Sequence, residues 1–368
     1  MIGCGIATFH LGGYAEEPRT KVVALAGLDT QRCKDLATKY DIPKVYGDYL
    51  ELLDNEEVDI VSVGVPNNLH LPVAMAAIER GKHVLMEKPL ALNAAEGEQM
   101  VRAAAQKGVI LAIAFNRRSR SDMQVLKQVI DEGGLGEIYY AKAFWVRRAG
   151  IPGMGTWFTT KEMSGGGPLI DVGVHVLDMA LWLMGNPQVT TVSASTYNKI
   201  GTQGKGQWVG NRFGHTAKAF EVEDFATAFL RTDRGATLHL EASWAGYTGH
   251  TDEFGVSLMG DKGGAELHVK DYNSVGTLKL FSEQGGAQVD TVPRLPQKEV
   301  WAGHAEIIHT LVDAILEGKP MSPSGLEGLD RTRLIDEIYR SASERREITI
   351  EGSAAELAGV EDTMGGDD

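Results

Sequence analysis

Short apolar runs alternate with amphipathic stretches through the first 115 residues. Val22 to Leu28, Val58 to Val63, Lys82 to Met86 and Val109 to Phe115 carry almost no polar face. Such runs read as strands of a parallel sheet buried on both sides. Between them the pattern predicts a helix reaching about Tyr14 and a second over 31–40 behind a Thr30 cap. A third runs from about His70 to Arg80. A fourth runs to about Lys107 behind Asn93, with Glu96 completing a capping box. Strands and helices in strict alternation imply a doubly wound α/β domain over residues 1–118.

The period then changes. A helix near 122–132, closed by Gly133-Gly134, leads into a strand over Ile138–Val146. Further strands are predicted near 188–198, 223–232, 235–245, 253–259, 264–270, 276–282 and 287–292, with clear alternation in Ala236-Thr-Leu-His-Leu-Glu-Ala. Together they make an α+β domain over 119–350 on a largely antiparallel open sheet, with helices at 303–317 and 326–345. One broad open face predicts a homodimer or homotetramer. The polar, glycine-rich stretch 200–222, with Trp208 and Phe213, is expected to act as a lid or subunit contact. Residues 351–368, acidic and poor in large apolar side chains, are expected to be disordered.

One helix breaks the amphipathic rule. Ser164-Gly-Gly-Gly-Pro-Leu-Ile-Asp171-Val-Gly-Val-His175-Val-Leu-Asp178-Met-Ala-Leu-Trp182 has no solvent face, so it is buried. Gly167 suits the N-cap and Pro168 the first helical position. Asp171, His175 and Asp178 lie at i, i+4 and i+7, on one stripe. Buried ionisable groups are costly unless they meet partners or line a cavity, so the stripe is either a satisfied core cluster or a site. The glycines 165–167 are expected to wall a substrate cleft, and Asp178 to support the helix by hydrogen bonding.

Composition narrows the function classes. The chain has 368 residues, 43% hydrophobic and 23% charged, which suits two globular domains. A net charge of −14 argues against a nucleic-acid or anionic-membrane surface. No apolar run is expected to span a membrane, and no signal peptide is expected within this sequence. Only Met1 and Ile2 precede the first glycine, fewer than the roughly five residues of a buried strand, so a start further upstream is expected. Cys4 and Cys33, without metal-ligand spacing, read as reduced thiols of a cytoplasmic protein. No metal site is predicted.

Candidate chemistry sits at strand ends. Gly3-Cys-Gly5-Ile6-Ala7 precedes the alternating pattern, and its glycines suit close approach of a pyrophosphate to a helix N-terminus. No third glycine follows at the usual spacing, where Ala7 or Thr8 stands. Gly27 ends the second strand where a ribose-binding acid is expected; Asp29 and Arg32 follow. Arg32 is either a solvated helix residue or a partner for a 2′-phosphate, so the cofactor is NAD or NADP. Lys88, between a buried strand and Pro89, is placed to stabilise an alkoxide as it forms. Asn116, Arg117, Arg118 and Arg120 form a basic cluster, read as a hinge or as neutralising charge in the cleft. Arg147, Arg148 and Trp157 are candidate substrate contacts, or packing of a long loop.

Taken together, these stretches resemble the Gfo/Idh/MocA family, the glucose–fructose oxidoreductase and inositol dehydrogenase group. The carriers are the glycine stretch with His10, Val65-Pro66-Asn67-Asn-Leu-His70, Gly81-Lys-His-Val-Leu-Met-Glu87-Lys88-Pro89 and the Asp171-x-x-x-His175 helix. The resemblance implies a Rossmann domain followed by a substrate domain. It implies Lys88, Asp171 and His175 as the catalytic group beside a nicotinamide, and Pro66, Asn67, His70 and Glu87 lining the cofactor. The substrate implied is a sugar, polyol or cyclitol, with His175 as general base for a secondary hydroxyl. Two rival readings keep the fold: an NAD-dependent glycosidase that reduces its cofactor transiently, and a non-catalytic dinucleotide-binding regulator.

Overall fold

The computed structural model describes residues 1–55, 57–208, 220–296, 298 and 301–359. The chain divides into two units. The first comprises 1–119, 299–333 and 352–368, and the second 120–298 and 334–351.

In the first unit, α1 (Ala7–Glu16), β1 (Ala24–Ala26), α2 (Thr30–Lys39), β2 (Lys44–Tyr46), α3 (Tyr49–Leu53), β3 (Ile60–Val63), α4 (His70–Glu79), β4 (His83–Met86), α5 (Ala94–Lys107) and β5 (Leu111–Ile113) follow in order. The pairs β1–β2, β3–β4 and β4–β5 are all parallel. Ile2 bridges Ala26 on one side and Val63 on the other, joining both groups of strands into one sheet. Two residues therefore do the work of a central strand. The bonds Ala26 N–H to Met1 O (2.9 Å) and Gly64 N–H to Ile2 O (2.8 Å) hold it in place. As the sequence predicts, Asn93 accepts the Glu96 N–H at 3.0 Å and Gly108 closes α5 at φ +65°. The short β2 and α3 were not predicted, since half-exposed edge elements leave little periodic signal.

The second unit opens with α6 (Ser121–Asp131) and β6 (Ile138–Arg147). Then come α7 (Lys161–Ser164), a π-helical turn (Leu169–Gly173) and α8 (Val174–Leu183). The strands β7 (Val189–Tyr197), β8 (Phe225–Thr232), β9 (Thr237–Ser243), β10 (Asp252–Gly260), β11 (Gly264–Lys270), β12 (Leu278–Gln284) and β13 (Ala287–Thr291) follow. With β14 (Ile348–Thr349) they form a nine-stranded sheet ordered β13-β12-β11-β10-β6-β9-β8-β7-β14. It is antiparallel except where β6 runs parallel to β9 at its centre. Alternation along β6 buries Ala141, Ala143 and Trp145 on the face that α8 covers.

Four expectations need correction. The helix α9 (Ala302–Glu317) joins the first unit, because Ile307, Ile308, Leu311 and Val312 pack with Leu85, Ala112 and Ala114 of the parallel sheet. The helix α10 (Gly325–Glu344) begins in the first unit and ends in the second. The tail is ordered as far as α11 (Ala354–Ala358), where Ser353 and Glu356 form a capping box. Arg102 of α5 also donates to the Leu357 carbonyl. Residues 360–368, like 209–219 of the expected lid, lie outside the described residues. Finally, Lys161–Leu183 is long and apolar enough to cross a membrane, at a mean hydropathy of 1.2, but 89% of that window is buried within the fold.

Candidate active site

The helix entry is built by a carboxylate from elsewhere in the chain. Glu223 accepts the N–H of Gly167 (3.0 Å), the N–H of Leu169 (3.1 Å) and the Tyr339 hydroxyl (2.8 Å). These N–H groups are among the orphan donors of a helix N-terminus, so Glu223 supplies a cap that a glycine cannot. Burial pushes the Glu223 carboxyl up despite these donors. Two of the three glycines 165–167 are needed for packing within the protein. A Cβ on Gly167 would lie 2.2 Å from the Glu223 carbonyl oxygen, and one on Gly166 would lie 2.0 Å from the Tyr339 hydroxyl.

Past that cap, Asp171 sits inside the π-turn and His175 in the first turn of α8. Single π-turns are rare and concentrate at functional sites. Trp244, fully buried just after β9, donates its indole N–H to Asp171 Oδ2 at 2.9 Å. The Trp145 ring packs 5.7 Å from the His175 ring, and its N–H donates to Asp252 Oδ1 at 2.8 Å. Asp252 Oδ2 accepts from Arg147 Nε at 2.7 Å and from the Tyr272 hydroxyl at 2.8 Å. Burial would lower the Arg147 guanidinium, but the charges of Asp252 and Asp171 hold it raised. Arg147 is thus a buried ion-pair partner, whereas Arg148 is exposed. Asp178 is buried on α8. Trp157 stacks on Phe158, ring centroids 3.8 Å apart, in a separate short turn.

In the first unit, β4 ends at Met86 and delivers Glu87 and the half-buried Lys88 at its carboxyl end. Ligands of open parallel sheets bind at that edge. Pro66 precedes a short turn over Asn67–Leu69, in which Asn67 is buried. His70 faces Pro89 O at 2.8 Å with Nδ1 and Val65 O at 3.1 Å with Nε2. It pins one strand-end turn to the next. Glu87 Oε1 faces His10 at 2.8 Å and His304 at 3.0 Å. Both residues, expected to line a cofactor, bond their polar atoms to groups within the protein, because burial demands partners for them.

Residues 1–115 match the family described as "Oxidoreductase family, NAD-binding Rossmann fold", and 123–266 match the GFO/IDH/MocA C-terminal domain. The D-glucoside 3-dehydrogenase of Escherichia coli (strain K12) is 33% identical over 352 residues, spanning 93% of this chain and 94% of that protein. The chain belongs to the Gfo/Idh/MocA family. A more distant relative, the NADP(+)-dependent scyllo-inositol 2-dehydrogenase of Bacillus subtilis (strain 168), is 25% identical over 88% of this chain and 87% of its own. The fold matches the levoglucosan dehydrogenase complex with NADH at a TM-score of 0.83 and 23% identity, over 95% of this chain and 98% of that one.

Membership makes this an oxidoreductase with a dinucleotide cofactor, NAD or NADP, and the loop before α1 fits such a group. Gly3 takes φ +94°, and a side chain on Gly5 would meet no atom within 4 Å. Ile6, the N-cap of α1, has no side-chain acceptor, so the helix N-terminus stays open to an anion. Arg32 donates to Cys4 O (2.7 Å) and Gly5 O (3.1 Å), bracing this loop. Asp29 is an exposed cap for α2, accepting the Arg32 N–H at 3.1 Å.

Cys4 and Cys33 form a disulfide, Cα atoms 6.3 Å apart, where thiols are expected. The pairing removes the ground for a reducing compartment. It also accounts for Gly27, since a Cβ there would fall 2.6 Å from Cys4 Sγ. Arg118, expected in the cleft, is buried and paired to Glu327 at 2.5 Å. Asn116 packs against Gly303 at the start of α9. Trp145, Trp244, Asp252 and Glu223 carry no local signal of a role at this site. The alternation placing Trp145 inward on β6 was visible, but its partner was not.

Proposed function

We propose that this Gfo/Idh/MocA protein is an NAD(P)-dependent dehydrogenase of a secondary hydroxyl on a sugar, polyol or cyclitol, with Lys88, Asp171 and His175 acting on that hydroxyl. The supporting observation is that Asp171 and His175 occupy consecutive turns of one buried helix, each backed by a tryptophan. The similarity to glucoside and inositol dehydrogenases supports the substrate class.

In this reading the His175 imidazole takes the hydroxyl proton as general base. The Lys88 ammonium donates to the same oxygen as negative charge develops. Asp171, its carboxylate oriented by Trp244, accepts from a neighbouring substrate hydroxyl. The bound nicotinamide supplies the hydride-accepting chemistry. Gly3, Gly5, Ile6 and Ala7 would hold its pyrophosphate, with Pro66 and Asn67 at the next strand end. Arg32 beside Gly27 leaves room for a 2′-phosphate, so NADP is included.

The test supplies NAD⁺ or NADP⁺ with a panel of glycosides, polyols and inositols and follows absorbance of the reduced nicotinamide. Turnover of at least one is expected; none with any member rejects the reading. Hydrolysis of a glycoside without net reduction marks the glycosidase alternative. Trp244→Phe removes one hydrogen bond to a carboxylate and is expected to lower kcat/KM by about 10-fold. An unchanged kcat/KM removes Trp244 from the site.

The face of the nine-stranded sheet opposite α8 carries Lys142, Phe144, His268 and Met259, a mixture of polar and large apolar side chains. We propose that it associates with a second copy as a homodimer or homotetramer. Light scattering after size exclusion is expected to give a multiple of 39.8 kDa. A monomer at micromolar concentration overturns this.

A further inference from the structure

Three segments far apart in sequence meet on one carboxylate. His10 lies in α1, which follows the glycine loop, His304 begins α9, and Glu87 immediately precedes Lys88. The side chains of His10 and His304 are 0% and 2% exposed, and that of Glu87 12%. Both histidines reach the same oxygen, Oε1, through Nε2. The other oxygen, Oε2, accepts the Lys88 main-chain N–H at 3.3 Å. Two imidazoles with a carboxylate are also a zinc-type ligand set.

The Nδ1 atoms decide between the two arrangements. Neither His10 Nδ1 nor His304 Nδ1 has a hydrogen-bond partner among the described residues. A carboxylate only accepts, so with both Nε2 atoms protonated each Nδ1 is a bare lone pair. Metal ligation through Nε2 would put a proton on each Nδ1 and strand two buried donors, where metal-bound histidines normally find an acceptor. Burial holds the His10 pKa down, and the two histidine hydrogen bonds hold Glu87 well below the usual carboxylate range against its own desolvation.

We propose that His10, Glu87 and His304 form a clamp that positions Lys88, fixing its main chain relative to the helix that follows the dinucleotide loop. A lysine with four rotatable bonds reaches one oxygen reproducibly only if its backbone is held. Glu87 is then a positioning residue, not a cofactor contact. This rests on the proposed role of Lys88.

The test is a double-mutant cycle. Glu87→Gln places an NH2 donor against either the two histidine Nε2–H groups or the Lys88 N–H, so one side of the clamp loses its acceptor. It is expected to lower kcat about 10-fold or more, leaving cofactor Kd and substrate KM within about 3-fold. In a Lys88→Met background the same change is expected to cost less than about 2-fold, because the interaction it removes acts through Lys88. Equal losses in both backgrounds, or a lost cofactor affinity with normal kcat, overturn the clamp.

A second readout needs no activity. In ¹⁵N spectra of the wild-type protein, with His10→Asn and His304→Asn for assignment, both rings are expected as the Nε2–H tautomer, unaltered by added zinc. Nδ1–H tautomers, or a stoichiometric zinc shift, overturn it in favour of a metal site. If no substrate turns over, the functional reading fails while this measurement still decides the clamp.

Discussion

Lys88→Met is expected to lower kcat by about 10²–10³-fold, the range for removing one preorganised donor to a developing oxyanion. The methionine keeps the length and the apolar stem, so packing at the β4 end is preserved and the change isolates the ammonium. Lys88 is half-buried, between Glu87, whose side chain is bonded to two histidines, and the fully packed Leu90. It stands at the carboxyl end of a parallel strand, the edge where such sheets bind ligands, which is why the largest loss is assigned to chemistry. His175→Ala is expected to fall by about 10²–10⁴-fold through loss of the general base. Steady-state rates with saturating cofactor measure both. A Lys88→Met enzyme within about 3-fold of wild type removes the lysine from the reaction.

Gly167→Ala is expected to destabilise the second unit by about 3–5 kcal/mol, or to prevent its folding. The added methyl would meet main-chain atoms, the Glu223 carbonyl oxygen at 2.2 Å, not the end of a flexible side chain. That carbonyl has little freedom. The Glu223 side chain is tied to Gly167, Leu169 and Tyr339. The next residue, Asp224, accepts from the N–H groups of Ile200 and Gly201 and from Trp244 through its own carbonyl. The clash would therefore propagate into the helix entry that presents Asp171. Denaturant unfolding followed by tryptophan fluorescence measures the effect. A loss below about 1 kcal/mol would show that the entry relaxes freely and that Glu223 does not fix it.

The two expectations differ in what made them readable. The lysine follows from an apolar run that ends at a proline, a pattern local to one strand. The glycine's importance was legible only as a run of three; its partner, Glu223, lies 56 residues away in sequence. Three glycines in a row suggest close approach to a ligand when no packing partner is visible in the chain nearby. The same limitation explains Arg118, whose acidic partner Glu327 is more than 200 positions later. It also explains α9, which packs with the first unit although it follows the second in order.

Local periodicity determined the parallel alternation of the first 115 residues, the antiparallel character of the later strands, and a buried helix carrying Asp171 and His175. These depend on which faces a segment must bury, and a single chain shows that directly. Tertiary structure alone decided what each buried polar group meets. It gave Asp171 the Trp244 indole, His175 the Trp145 ring, and Glu87 two imidazoles. It also introduced the π-turn, set β6 parallel to β9 and joined Cys4 to Cys33. Hydrophobic patterning fixes which side of an element is inside. Hydrogen-bond and charge partners are chosen only when distant segments close on one another, and no local pattern encodes that choice.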